Sequence, residues 1–290
     1  MTTGRDSRLC RAGEDLAREA RLLCVIPFHY RALRLHYLYE VVRALSELLV
    51  RRVTVVVMTN TTDDDELARI DRICAHFLDR QDIGIDIHPE LDDPWNLGWC
   101  HKPILGRLFM GDDAYTHFVY LEDDMRLSHW NLTYFMGARA LLARQGLIPS
   151  FVRVEYNFSD ANVYATDWLA QGQIAGKPAA EAAGQRFLPA DNPYIAMFIL
   201  DRALAEEHVA TRSFDRLRSR EVMDWDPLAR AAMGLSFENV PAGFPSRYVV
   251  PVDADGQVMT PAWVYHLPNN YANAPAEIPF GKTPMTRLFA

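Results

Sequence analysis

Three glycine-containing signatures of common enzyme classes are missing from this sequence of 290 residues, which has no GxGxxG, no GxxxxGKS and no GxSxG. The first two absences argue against dinucleotide oxidoreductases and P-loop nucleoside triphosphatases, which hold phosphates on such glycine-rich loops. The third absence argues against hydrolases that carry a serine nucleophile in a GxSxG turn.

Cysteine and basic charge are scarce as well. The four cysteines have no CxxC spacing, which predicts reduced thiols and argues against a zinc site built from them. The chain carries 30 basic and 38 acidic side chains, for a net charge of −8. No nucleic-acid partner is expected, because phosphate backbones are bound by basic surfaces. A phosphorylated ligand is still compatible with this charge where a metal ion or a local basic group screens it.

Long hydrophobic runs are also absent. The longest, at 22–28 and 53–58, fall far short of the ~20 residues that a membrane helix needs. The first 20 or so residues carry charges throughout and lack the apolar core of a secretory signal. We therefore expect no transmembrane segment and a cytoplasmic protein, with peripheral binding at a membrane as an alternative.

Apolar runs alternate with segments of helical periodicity, which predicts an α/β fold. Strands are expected at 22–28, 53–58, 83–87, 117–121, 151–155 and 194–200. Helices are expected at about 33–50, 63–77 (capped by Thr61 or Thr62), 102–110, 129–145 and 220–233, and another from Asp201. The alternation up to residue 145 predicts βαβ units that form a mostly parallel central sheet flanked by helices.

Three consecutive acidic residues, Glu122, Asp123 and Asp124, directly follow the fourth predicted strand. Open parallel sheets bind ligands beyond the carboxyl ends of their strands, so this is where a site is expected. In an extended segment Glu122 and Asp124 would point the same way and Asp123 the other way. Two carboxylates that face one point repel, and a divalent cation such as Mg²⁺ or Mn²⁺ removes the conflict. The alternative is an acidic turn at the end of a strand, without a ligand.

The stretch FVYLEDDM resembles the Asp-x-Asp motif of nucleotide-sugar glycosyltransferases with the GT-A fold. The resemblance extends to the order of the chain, from the loop VIPFHYR through two further βα units and NLGWCHKPIL to this motif. It implies a Rossmann-like sheet and a Mn²⁺ or Mg²⁺ ion that Asp124 coordinates. It also implies that Glu122 contacts the metal, its water or the donor ribose, and that Asp123 belongs to the donor site.

A second feature of the resemblance is a late histidine in the stretch WVYHLPNNYA. Many GT-A enzymes use such a histidine as a further metal ligand, and the resemblance assigns that role to His266, which would share the ion with Asp124. Imidazole suits Mn²⁺ better than Mg²⁺. The alternative for His266 is a structural histidine. Asn269, Asn270 and Tyr271 either serve sugar hydroxyls or build a turn.

A third feature is the stretch SREVMDWDPLARAAMGL, which resembles the segment that carries the catalytic base of inverting GT-A enzymes. Asp224 falls on the base position, and Asp226 and Arg230 fall on the later acidic and basic positions. Glu221 is the competing base. The alternative is the start of an amphipathic helix that Asp226 caps and Pro227 begins.

The donor nucleotide is expected over the first half of the sheet. Pro27 and Tyr30 end the first strand, and Tyr30 is expected to stack on a uracil or guanine ring. Asn60 ends the second strand and is expected to bond the edge of the base. Lys102 and Arg31 are candidates to screen phosphate, and the alternatives are loop packing for the first three residues and solvated surface charge for the last two.

Together these features predict a metal-dependent glycosyltransferase that moves a sugar from a UDP- or GDP-sugar to a hydroxyl of a saccharide or lipid-linked acceptor, with inversion if Asp224 is the base. The alternatives are a nucleotidyltransferase or metal-dependent phosphohydrolase of a related fold and a non-catalytic module that binds nucleotides or glycans.

The predicted division of the chain is a polar leader at 1–20, a donor-binding half at 21–125, an acceptor-binding half of the same domain at 126–266 and a tail at 267–290. An acceptor-side insertion is expected at about 155–190, around Gly172 and Gly176.

Overall fold

A computed structural model describes residues 8–167, 177–190 and 192–288, so Gly172 and Gly176 lie outside the described residues. The strands are β1 Arg21–Phe28, β2 Arg52–Thr59, β3 Ile83–Ile87, β4 His117–Leu121, β5 Met125–Arg126, β6 Ile148–Pro149, β7 Val152–Tyr156, β8 Val163–Ala165, β9 Ala180–Ala182, β10 Gln185–Pro189, β11 Met197–Asp201, β12 Tyr248–Val252, β13 Trp263–His266 and β14 Thr283–Pro284. The α-helices are α1 Arg8–Glu19, α2 Leu35–Ser46, α3 Asp64–Phe77, α4 His101–Ile104, α5 His129–Leu142, α6 Arg202–Val209 and α7 Pro227–Ala232. None of these helices combines the length and the apolarity needed to cross a lipid bilayer.

The chain divides into two compact units. The first, called here the parallel-sheet unit, comprises Arg18–Met125 and Ala196–Leu235. The second, called the mixed unit, comprises the described parts of Met1–Ala17, Arg126–Ile195 and Ser236–Ala290. Residues 196–235 join the first unit because β11 pairs with β4, a pairing between distant strands that no local pattern indicates.

The parallel-sheet unit has a five-stranded sheet with the order β11-β4-β1-β2-β3. Strands β1 to β4 run parallel and β11 runs antiparallel to β4, which confirms the predicted α/β fold with a mostly parallel sheet. Strands β1 and β2 are buried over nearly their whole length, as expected for continuous apolar runs in a sheet covered on both faces. The segments that follow β1, β2 and β4 therefore lie at one edge of the sheet.

Two predicted helix boundaries in this unit are wrong. Helix α3 is capped by Asp63, whose side chain accepts a hydrogen bond from the Glu66 N–H, rather than by Thr61 or Thr62. The helix expected at 220–233 is α-helical only over Pro227–Ala232, because Pro227 begins a new helix there. The residues ahead of it form a short 3-10 turn and a loop.

The mixed unit contains two small sheets and the packed pair α1 and α5. One sheet has the order β6-β12-β10-β9. In the other, β13 runs parallel to β7, β8 runs antiparallel to β7, and β14 runs antiparallel to β8. Helix α1 buries Leu9, Cys10 and Ala17, so residues expected to form a polar leader contribute a helix with a buried face.

Candidate functional site

The acidic residues after β4 form a tight turn, called here the acidic turn, Glu122–Asp124. Strand β4 ends at Leu121, and the Met125 N–H donates to the Glu122 carbonyl at 3.0 Å. The segment is therefore not extended, and the predicted alternation, with Glu122 and Asp124 on one side and Asp123 on the other, is wrong. Asp123 and Asp124 are buried and are the pair that faces one group, whereas Glu122 is half-buried.

The group between those two carboxylates is the guanidinium of Arg34. Its Nε donates to Asp123 Oδ2 at 2.8 Å, and its Nη2 donates to Asp123 Oδ1 at 2.6 Å and to Asp124 Oδ2 at 2.7 Å. Burial raises the pKa of Asp123 to about 6, and the hydrogen bonds from Arg34 oppose that rise. The pairing with Asp123 in turn raises the pKa of Arg34. Charge-assisted, two-point contacts of this kind are the strong class of protein hydrogen bonds.

Sequence reasoning missed Arg34 and selected Arg31 from the same loop. Arg31 is exposed, whereas Arg34 lies at the start of α2, three residues further along. The Arg34 N–H donates to the Arg31 carbonyl at 2.8 Å, which closes a single 3-10 turn and brings the Arg34 side chain to the acidic turn. The usable signal was that a residue six positions past a parallel strand lies at the same sheet edge as the end of β4.

The structure brings the predicted donor residues Tyr30 and Asn60 together. Asn60 Oδ1 accepts a hydrogen bond from the Tyr30 N–H at 2.8 Å, so the segments after β1 and β2 are tied to each other. The Tyr30 hydroxyl accepts from Arg69 Nη1 at 3.3 Å, and its ring meets Phe28 edge to face at 5.8 Å. Pro27 is buried within β1. Contact of these residues with a nucleotide base stays a prediction.

Lys102 is not a solvated surface charge. It is buried, and its Nζ lies 2.6 Å from His208 Nε2 and between 5.3 and 5.7 Å from the ring centres of Trp99, Phe198 and Phe214. Burial lowers the pKa of Lys102 well below its ordinary value. An enclosed amine of this kind has no exposed positive charge to offer a phosphate, so the predicted screening role has no support in this geometry.

The two candidate bases, Asp224 and Glu221, are both exposed. Asp226 has a structural part, because its side chain accepts a hydrogen bond from the Ala229 N–H at 2.9 Å and caps α7. Arg230 is buried and donates to Ser219 Oγ at 3.0 Å, which ties α7 to the preceding turn. The capping alternative is therefore confirmed for Asp226, while a role as base for Asp224 or Glu221 stays a prediction.

In the mixed unit, His266 ends strand β13 and is buried. Its Nδ1 lies 2.5 Å from Oε1 of Glu155, which is fully buried on the neighbouring strand β7. Glu155 Oε2 accepts from the Ala272 N–H at 2.6 Å, and the Tyr271 ring stacks on the imidazole at 5.6 Å. Carboxylates commonly orient metal-binding histidines in this way. His266 belongs to the mixed unit and Asp124 to the parallel-sheet unit. A metal ion shared between these two residues stays a prediction.

The asparagines after His266 mainly build the loop. Asn269 has a positive φ of 52°, and its Oδ1 accepts from the Tyr156 N–H at 2.8 Å. Asn273 Nδ2 donates to the carbonyls of Tyr156 and Asn269 at 2.9 and 2.7 Å. These contacts favour the turn interpretation for Asn269, and Asn270 is exposed.

Within residues 8–167, 177–190 and 192–288, no three side chains of His, Cys, Asp or Glu come together as a potential metal-binding group. The acidic turn supplies two carboxylates, whose oxygens converge on one cationic nitrogen. Two carboxylates are a usual protein contribution to a Mg²⁺ or Mn²⁺ site, with water and substrate phosphates as the remaining ligands.

Comparison with known proteins gives no family. No family model matches this chain, and no curated protein matches it. Among solved structures, the chain is similar to a protein from Entamoeba histolytica assigned as a UDP-N-acetylglucosamine pyrophosphorylase. The identity is 12% and the TM-score is 0.41, and the match covers 69% of this chain and 63% of that chain. A similarity of this size carries no argument about what the present chain does.

Proposed function

We propose that this chain is a nucleotide-sugar-dependent glycosyltransferase that transfers a sugar to a hydroxyl acceptor. The observation that carries the proposal is the acidic turn, in which Asp123 and Asp124 are buried at the carboxyl edge of a parallel sheet and converge on one cation. The segments after β1 and β2 meet through Tyr30 and Asn60 at the same edge. Loops at this edge are where such sheets take nucleotides.

The proposed cofactor is Mn²⁺ or Mg²⁺. The proposal is supported by the convergence of Asp123 Oδ1 and Asp124 Oδ2 on a single Arg34 nitrogen, and by their hard oxygen donors, which suit these two metals. Asp124, supported by Asp123, would hold the ion. When bound, the ion supplies Lewis-acid neutralisation of the leaving diphosphate.

The acceptor hydroxyl must lose its proton as the new glycosidic bond forms. Asp224 is the proposed base, with Glu221 as its competitor, and a well-placed carboxylate contributes about 10²–10⁴-fold to the rate. If Asp224 takes this proton, the acceptor oxygen attacks the anomeric carbon directly as the nucleoside diphosphate leaves, and the configuration at that carbon is inverted. This assignment comes from the sequence resemblance, and the exposure of both carboxylates is compatible with it.

Nucleotidyl transfer is the competing reaction, because a metal ion held by two carboxylates serves phosphoryl chemistry equally well. The segment that follows β1 has no glycine between Pro27 and Arg34, whereas nucleotidyltransferases of the related fold carry a glycine-rich, basic loop there. This absence favours glycosyl transfer.

The test is a panel of UDP- and GDP-sugars with Mn²⁺ and a set of saccharide acceptors, with products separated by chromatography. Glycosyl transfer releases the nucleoside diphosphate and lengthens the acceptor. Production of nucleoside triphosphate and sugar 1-phosphate upon addition of pyrophosphate would show nucleotidyl transfer instead. Asp124→Asn should abolish turnover, and Asp65→Asn, which removes the same charge from an exposed position on α3, should not.

A further inference from the structure

The acidic turn already holds a cation in this structure, namely the Arg34 guanidinium. One nitrogen, Nη2, bridges Asp123 Oδ1 at 2.6 Å and Asp124 Oδ2 at 2.7 Å. A metal ion that takes the same two oxygens needs the position of that nitrogen and repels its charge. The guanidinium and a metal ion are therefore mutually exclusive at this point.

We propose that Arg34 is a built-in competitor of the metal ion, which holds the acidic turn together until the ion displaces it. The inference rests on the proposed function, since it concerns the metal of the same site. The inference adds that the affinity for the metal ion depends on the free energy needed to displace the Arg34 guanidinium as well as on the two carboxylates.

The main chain of Arg34 need not move in this exchange. Its N–H is fixed to the Arg31 carbonyl at 2.8 Å at the end of the 3-10 turn Ala32–Arg34, and α2 begins at the next residue. The side chain is one-third exposed, so it has direct access to solvent. The guanidinium carbon also lies 5.5 Å from the centre of the Tyr37 ring, so this ring contacts the group by a cation–π interaction while it bridges the carboxylates.

The two carboxylates need a cation whenever both are ionised. Both are buried, and a buried carboxylate that loses its partner carries a large desolvation cost. Arg34 meets this need without a cofactor and keeps the turn ordered. The metal ion meets it with twice the charge, but it must first break three charge-assisted hydrogen bonds.

The first experiment measures Mn²⁺ affinity from the electron paramagnetic resonance signal of free Mn²⁺ at pH 8. Arg34→Ala is expected to bind Mn²⁺ at least about tenfold more tightly than the wild-type chain, given the strength of hydrogen bonds between charged groups. The matched control is Arg43→Ala, which removes the same charge from α2, where Arg43 pairs with Glu40 at 2.7 Å. This control should bind Mn²⁺ like the wild type. Equal affinity for Arg34→Ala and the wild type would overturn the inference.

A second measurement uses the wild-type chain and so does not depend on the folding of a variant. The Arg34 Nε proton, assigned with the help of Arg34→Lys, is followed by nuclear magnetic resonance as Mg²⁺ is added. Its exchange with water should accelerate as Mg²⁺ saturates the site. If the proton stays protected while Mg²⁺ binding that requires Asp124 saturates, Arg34 is no competitor, although the proposed function stands. If none of the proteins binds either ion, the inference fails, and the donor panel separately decides the proposed function.

Discussion

Asp224 and Asp226 lie two residues apart, and a resemblance at the level of sequence assigns both to one motif. The structure separates them. Asp226 satisfies a backbone N–H at the start of α7, whereas Asp224 is exposed and lies ahead of that helix. Substitutions at each position can therefore distinguish the proposed catalytic role of Asp224 from the helix-capping role of Asp226.

We expect Asp226→Ala to lower the free energy of unfolding by about 1 kcal/mol, because an N-cap is lost. Asp226→Asn should keep nearly all the stability, since the amide oxygen can still accept the Ala229 N–H. Urea titration followed by circular dichroism measures both. If Asp226→Asn lost as much stability as Asp226→Ala, the charge of the carboxylate, and not its hydrogen bond to the helix end, would be what stabilises α7.

We expect Asp224→Asn to lower turnover of the nucleotide sugar by about 10²–10⁴-fold while donor binding and the urea midpoint stay unchanged. The reason is that the amide cannot take a proton from the acceptor hydroxyl. Steady-state kinetics with saturating donor measures the effect. Near-wild-type turnover in this variant would move the assignment to Glu221, for which Glu221→Gln is the corresponding test.

Single residues also show where sequence reasoning ended. Asp123 and Asp124 were predictable as site candidates, because an acidic run after a buried strand is a local signal. Arg34 and Glu155 were not selected, because their roles depend on contacts with residues that are distant in the sequence. Arg34 contacts Asp124, 90 residues away, and Glu155 contacts His266, 111 residues away. Neither residue stands out in its own stretch of sequence, where an arginine in a loop and a glutamate in a strand are ordinary.

At the scale of elements, helices α1 and α5 approach so closely that glycine is required on both. A Cβ atom on Gly13 would lie 1.9 Å from the Thr133 carbonyl oxygen, and one on Gly137 would lie 2.1 Å from the Leu9 carbonyl oxygen. Gly13 carries α1 against α5, so the chain before residue 20 contributes to the core of the mixed unit. The sequence analysis interpreted this segment from its charges and did not identify Gly13 as the small residue on its buried face.

We expect Gly13→Ala to destabilise the mixed unit by about 1–3 kcal/mol, since the added methyl group overpacks the contact between the helices. The control is Gly106→Ala, because a Cβ at Gly106 meets nothing within 4 Å. Urea unfolding should place the control within about 0.5 kcal/mol of the wild type or above it. Equal stability of both variants would show that α1 can shift away from α5 at little cost.

The predicted elements of the parallel-sheet unit were the most accurate part of the sequence analysis. Strands such as β1 and β2 are continuous apolar runs, so both their presence and their bounds can be predicted from the local sequence. The turn geometry of Glu122–Asp124 was missed, because a strand and a tight turn place side chains differently and the apolar pattern ends at Leu121. The pairing of β11 with β4 was also beyond reach, since it joins segments about 80 residues apart.

At the scale of the whole molecule, buried bases make stability depend on pH. Burial lowers the pKa of His208 well below its ordinary value of 6.5, and the adjacent Lys102 adds to this effect. Burial also lowers the pKa of His101 well below 6.5 and that of His117 to about 4. At these three histidines the unfolded chain therefore binds more protons than the folded chain below about pH 6.5. The stability that these histidines contribute is complete above that pH and is lost as the pH falls.

We expect the free energy of unfolding of the wild type to rise between pH 5 and pH 7, as measured by urea titrations at several pH values. His208→Phe should have a smaller slope, by up to about 1.4 kcal/mol per pH unit for the proton it no longer binds when unfolded. His36→Phe, at an exposed position, is the control and should keep the wild-type slope. An unchanged slope in His208→Phe would show that this ring is protonated in the folded chain.

The pairing of β11 with β4 has a consequence for the way this protein is made. Strand β4 leaves the ribosome some 80 residues before β11, and until then one of its edges has no neighbour. An open edge of a buried strand is a template for pairing with another chain. Nascent chains that stall between these two strands are thus the species of this protein most prone to aggregate.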